Sequence, residues 1–194
     1  MLLSNARDGS EMPQSSSRRI VIDASVAQAS GGEDATYPLS KDCRDFLKTV
    51  LHVCHHAVMS PELSAEWNNH QSSFARRWRV SMVARKKLLI VNLLPDAMLR
   101  ARLDEIAVSS THAEAMRKDC HLIEGALATD RCIASLDERA RMLFANASHT
   151  IGNLRPITWV NPGNESEEPI RWLLDGASSE KQRYLNSFVA EDSA

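Results

Sequence analysis

Four carboxylates stand in this sequence where an α/β fold could gather them: Asp23, Glu66, Asp119 and Asp137. Asp23 closes the run Arg18-Arg19-Ile20-Val21-Ile22, and Asp137 closes Arg131-Cys132-Ile133-Ala134-Ser135-Leu136. Both runs read as short buried strands that end at an acid. In parallel α/β sheets the functional crevice lies beyond the carboxyl ends of the strands, so both aspartates fall at the productive edge. Carboxylates gathered there repel one another, and left unpaired they hold protons or destabilise the fold. A divalent cation resolves the repulsion, and Mg²⁺ or Mn²⁺ matches an all-oxygen ligand set. Such an ion lowers the pKa of bound water, sets it in line with a phosphodiester and neutralises charge in the transition state. With two ions, one would serve the nucleophile and the other the leaving oxygen.

The elements that must position these acids follow along the chain. Residues 1 to about 17 are rich in Ser, Asn, Asp and Gly without an apolar period, and are expected to be a disordered tail. After the first strand and the break at Ser30-Gly31-Gly32, Cys43, Phe46, Leu47, Val50, Leu51 and Cys54 form one apolar stripe of a helix. Ala57-Val58-Met59 is a second strand. Ser60-Pro61-Glu62 then starts a helix: the Ser60 hydroxyl can accept from orphan amides, Pro61 suits the first helical position, and Glu62 favours the positive end. That helix carries Glu66 and Trp67 to about Phe74, and a further helix is expected over 76–88. Pro95-Asp96 opens another helix, and Asp119 heads one running through Leu127, where its carboxylate could cap the first turn. Arg131–Asp137 is a third strand, Glu138–Ala147 is helical, and Arg155–Pro162 is a fourth strand. Residues 163–194 read as a charged C-terminal helical appendage. Alternation of strands and helices argues for an α/β fold with a mostly parallel sheet.

Four segments together resemble the PIN-domain family. Ile20-Val21-Ile22-Asp23-Ala24-Ser25 resembles its opening strand, an acid followed two residues later by Ser or Thr. Ser60–Glu66 resembles its second motif, Asp119 with the helix behind it the third acid, and Ser135-Leu136-Asp137 the strand-end motif. The resemblance covers about residues 18–162. It implies a three-layer α/β/α sandwich with a mostly parallel four- to five-stranded sheet, acting as a metal-dependent endoribonuclease. It also implies that Asp23, Asp119 and Asp137 hold Mg²⁺ or Mn²⁺ directly or through water, and that Glu66 binds metal or orients the attacking water. Ser25 and Ser135 would position the neighbouring carboxylates. Many bacterial PIN proteins are toxins of toxin–antitoxin pairs, which implies an antitoxin or other protein partner, and many dimerise. Those toxins are usually shorter and lack the two long ends found here. The rival within the family is a catalytically inactive PIN-like module that binds RNA or protein. A flap-type DNA nuclease would carry more acids and a helical arch. A response-regulator fold would need a strand-end lysine, which Arg155–Pro162 does not supply.

Neighbouring residues carry plainer readings. Glu62 lies one turn before Glu66 on the same face and is explained by helix-start electrostatics, which favours Glu66 for the site. Asp130 falls between helix and strand and reads as a turn residue, and Glu138 as an exposed first-turn glutamate. Arg76, Arg79, Lys86 and Lys87 share one side of a helix and are candidate RNA contacts, weighed against a solvated face. His52, Cys54, His55 and His56 have no second ligand cluster at zinc spacing and read as solvated or core-edge groups. The four cysteines form no C-x-x-C pair and read as small buried hydrophobes. A net charge of −2 gives the whole chain no nucleic-acid signature, so such contacts must come from a local patch. No run approaches the roughly 20 apolar residues that span a bilayer. The start lacks the basic and apolar segments of a secretory signal, so a cytoplasmic protein is expected. Nucleotide-binding and serine-hydrolase loop motifs are absent from the sequence.

Overall fold

The computed structural model describes residues 17–188. The expected N-terminal tail therefore lies, but for Ser17, outside the described residues, as do residues 189–194. The chain runs β1 (Arg19–Ile22), α1 (Ala24–Ala29), α2 (Pro38–His52), β2 (His56–Met59), α3 (Pro61–His70), α4 (Ser73–Ala84), β3 (Leu88–Ile90), α5 (Ala97–Ile106), α6 (Ser110–Leu127), β4 (Cys132–Ala134), α7 (Glu138–Thr150), β5 (Thr158–Val160) and α8 (Pro169–Leu174). Four short 3-10 turns complete the described residues. The strands form one parallel sheet in the order β3-β2-β1-β4-β5, with Val21 opposite Val58 on one side and Ile133 on the other. The fold is α/β, with helices on both faces of the sheet. Helix α2 packs on β2 and against α1, α4 and α8; α6 packs on β1 and β4 and against α5 and α7.

Buried apolar side chains explain the order of layers. β1 and β4 are buried along nearly their whole length, as strands covered on both faces must be. Helix α6 is buried almost continuously from Cys120 to Ala126, so it lies across the middle of the sheet. Gly125 permits that approach: a Cβ there would meet Val21 Cγ2 at 3.2 Å. Trp67 and Trp78 stack with ring centroids 5.8 Å apart. Their indole N–H groups donate to the carbonyls of Ile22 (2.9 Å) and Leu47 (2.6 Å), which ties α3 to β1 and α4 to α2.

Three sequence expectations need correction. Helix α6 begins at Ser110, with Ser109 as its cap accepting from His112 N, so Asp119 is a mid-helix residue and caps nothing. Residues 110–118 carry little apolar period, which hid the first half of the helix. The expected 76–88 helix stops at Ala84, because Lys86 adopts a left-handed backbone (φ 56°) and the chain turns into the edge strand β3. Residues 163–188, read as an appendage, are part of the same core. Trp172, Leu173, Ala177 and Leu185 are buried, Tyr184 bridges Thr158 at the open edge of β5, and α8 rests on α2.

Candidate functional site

The site is built where β1 and β4 end side by side. Asp23 follows Ile22, and its amide donates to the Ala134 carbonyl at 2.9 Å, which extends the β1–β4 ladder to the acid itself. Asp23 occupies the cap position of α1, yet its side chain makes no capping bond. The residue is 8% exposed, and its carboxylate accepts two hydroxyl hydrogen bonds on Oδ2, from Ser25 (2.5 Å) and Ser135 (2.6 Å). Each serine oxygen accepts in turn from a backbone amide: Ser25 from Leu136 N at 3.2 Å and Ser135 from Asp137 N at 3.0 Å. With both oxygens accepting from amides, the hydroxyl protons are directed at Asp23, and the two strand-end turns are locked together around one carboxylate. Charge-assisted bonds of this kind are worth about 1.5–3 kcal/mol each.

Asp137 caps α7, accepting Ala140 N on Oδ1 at 2.8 Å. Asp119 reaches the same region from the middle of α6. Its carboxyl pKa is pushed up to about 6, chiefly by burial and further by the charges of Asp23 and Asp137, while Lys118 and His121 pull it down. Asp119 thus feels both strand-end acids.

Glu66 stands apart from that trio. Its pKa is lowered, first by its contact with His121, whose Nε2 lies 3.4 Å from Glu66 Oε2. At that distance the pair is a charge contact more than a full hydrogen bond. His121 is buried, and its Nδ1 lies 3.0 Å from the Lys118 carbonyl, which requires a proton on Nδ1. Burial of the imidazole acts downward on its pKa and is the largest single influence, but Glu66 and the Lys118 carbonyl together raise it. The sequence reading missed His121, whose partner Glu66 is remote in sequence.

The remaining candidates are each engaged elsewhere. Glu62 pairs with Arg100 at 3.2 Å, and Arg100 grips Glu124 with two bonds of 2.8 Å. Glu138 accepts from Arg141 and from Asn161 Nδ2 (2.7 Å). Asp130 pairs with Arg19 at the opposite, amino edge of the sheet. His55 is a satisfied core histidine: Nδ1 accepts Arg18 N at 3.0 Å, and Nε2 meets the Leu173 carbonyl at 3.1 Å. Arg76 and Arg79 lie along α4, with Arg79 donating to Asn68 at 2.9 Å. Lys86 and Lys87 sit where the chain enters β3, across the sheet from the acids.

The donor chemistry at Asp23, Asp119 and Asp137 is all carboxylate oxygen, the set a hard divalent cation takes. Among the described residues, no group of three His, Cys, Asp or Glu side chains is drawn close enough to ligate one ion directly. No helix among the described residues is long and apolar enough to cross a membrane. The chain matches no protein-family model, and comparison with curated proteins and with solved structures returned no match.

Proposed function

We propose that this chain is a metal-dependent endoribonuclease of PIN-like type, hydrolysing RNA phosphodiester bonds at the carboxyl edge of its sheet. The observation that carries the reading is the set Asp23, Asp119 and Asp137, three carboxylates from three elements, with Asp119 pushed up to about 6 by burial and by the other two charges. A fold gains no stability from such repulsion, and a divalent cation would offset it. Mg²⁺ or Mn²⁺ held there, largely through water, would supply an activated water and neutralise charge on the phosphate. The protein's own share is positional. Ser25 and Ser135 hold Asp23 on a fixed bearing and Asp137 is fixed by its capping bond, while Glu66, kept ionised by His121, stands apart from the three. The setting as a toxin with an antitoxin partner rests on the sequence resemblance alone.

A second reading has its own observation. The acids are not drawn tightly together, and Glu66 is already neutralised by His121, as suits an inactive module that binds RNA or protein. Cleavage of a mixed single-stranded RNA pool in Mn²⁺ separates the two. The nuclease reading expects cleavage by the wild type that EDTA and Asp23→Asn both abolish. RNA binding without cleavage, equal in both proteins, supports the inactive module.

A further inference from the structure

The two edges of the sheet carry opposite charge. Because the strands are parallel, their entry points lie along one edge, and cations cluster there. Arg18 and Arg19 lead into β1, His56 begins β2, Arg85, Lys86 and Lys87 lead into β3, and Arg131 leads into β4. The acid among them, Asp130, is taken by Arg19. Arg18, Lys86, Lys87 and Arg131 form no ion pair with a carboxylate among the described residues, and the Nε of Arg18, which is buried, has no acceptor there. The charges act on one another: His56 is lowered by burial and then by Lys87 and Arg19.

Helix electrostatics accounts for part of this cluster, since cations at a helix C-terminus offset its dipole. It covers Arg85 and Lys86 at the end of α4. It does not cover Arg18 and Arg19, which open a strand. Lys86 and Arg131 also hold left-handed backbone, φ 56° and 57°, where glycine fits without steric cost. The sequence places a long cation at each of these positions instead.

Helix α4 begins beside α1, where Ser72 N donates to the Ala27 carbonyl at 3.2 Å, and ends at the entry to β3. Its 12 residues span about 18 Å. Asn68, Gln71, Arg76, Arg79, Val80 and Val83 line a shallow groove along it. We propose that single-stranded RNA lies along this path, its phosphates tracked from the acidic edge over α4 to Arg18, Lys86, Lys87 and Arg131. This extends the ribonuclease reading by naming where flanking substrate is held. Cations stand at the entries to β3, β1 and β4, with His56 at β2 between them, and none of the residues leading into the strands is an exposed large hydrophobic, although Val80 and Val83 of the α4 groove are exposed. A polyanionic backbone complements that row of charge.

The test is fluorescence anisotropy of a labelled oligouridylate with the full chain in EDTA, across a KCl series. Each phosphate contact on a single strand contributes about −0.7 to the slope of log K against log[salt]. Lys86→Gln/Arg131→Gln is expected to make the slope shallower by about 1.4, with Arg18→Gln/Lys87→Gln as an independent pair should the first unfold. An unchanged slope in both folded pairs overturns the inference, and a lowered melting temperature with unchanged slope assigns the cations to helix ends instead. Binding of polyglutamate but not RNA also overturns it, in favour of an acidic protein partner. Absent cleavage in Mn²⁺ with salt-dependent binding intact contradicts only the nuclease reading.

Discussion

Replacing Asp119 with Asn should stabilise the metal-free protein, and only above the pH at which the native carboxyl ionises. Asp119 is raised from 3.8 to about 6, first by burial and then by Asp23 and Asp137. At about 1.4 kcal/mol per unit, that shift corresponds to roughly 3 kcal/mol. Asp119 is only partly buried, so solvent screening reduces the figure to roughly 1–2 kcal/mol. The sign follows from proton binding. The native state holds this proton more tightly than the unfolded chain, so the favourable contribution is complete below about 3.8 and is lost as pH rises through about 6. Asn carries no such charge. For a chain of this size the gain corresponds to a rise in Tm of about 3–6 °C near pH 8, shrinking below about pH 6 and vanishing near pH 4. Thermal melts in EDTA across that range measure it, and Mg²⁺ should raise the Tm of the wild type more than that of the variant. A neutral or destabilising Asn near pH 8, or a gain equal at both ends of the range, would refute the reasoning.

Three other perturbations test separate parts of the structure. Ser135→Ala removes the 2.6 Å donor to Asp23 and the acceptor for Asp137 N, and should cost about 1.5–3 kcal/mol in urea melts; no loss would mean that the hydroxyl does not bridge the two turns. Arg100→Met strands the buried Glu124 carboxylate and should cost about 3–5 kcal/mol, part of it recovered on adding Glu124→Gln. Additive effects of the two changes would contradict the pairing. His55 is lowered chiefly by burial, so its contribution is complete above about 6.5 and is lost as pH falls below that value. Urea melts over this window should show the decline in the wild type and a flatter profile in His55→Gln. Equal slopes would remove His55 as the cause.

Parts of this arrangement were legible because one local signal sufficed. Ser60 accepts Leu63 N at the start of α3 with Pro61 behind it, and Asp96 accepts Met98 N and Leu99 N at the start of α5. The β-branched run into Asp23 marked β1, and the strand-end position of Asp23 followed from it. Other parts depend on tertiary contacts that leave little local trace. Strand β3 has three half-covered or exposed residues after Arg85-Lys86-Lys87, and its helix break falls on a lysine where glycine is the usual marker. The C-terminal segment has charged stretches between Trp172, Leu173 and Leu185, and only packing reveals those three as core. Asp119 was selected as a candidate with the wrong local role: an acid before an apolar run looks like a cap, and burial inside α6 gives it a different electrostatic character. His121 escaped notice because its partner, Glu66, is remote in sequence.

Mn²⁺ binding to the full chain near pH 8, followed by the electron paramagnetic resonance of the free ion, tests most directly whether the acids at the carboxyl edge act as one cation site. The expected result is a saturable site in the wild type, weakened by Asp23→Asn and by Asp119→Asn and little changed by Glu62→Gln, whose carboxylate belongs to Arg100. Binding should also weaken below about pH 6, where Asp119 takes up its proton. No saturable binding, or equal binding in all four proteins, would contradict the account.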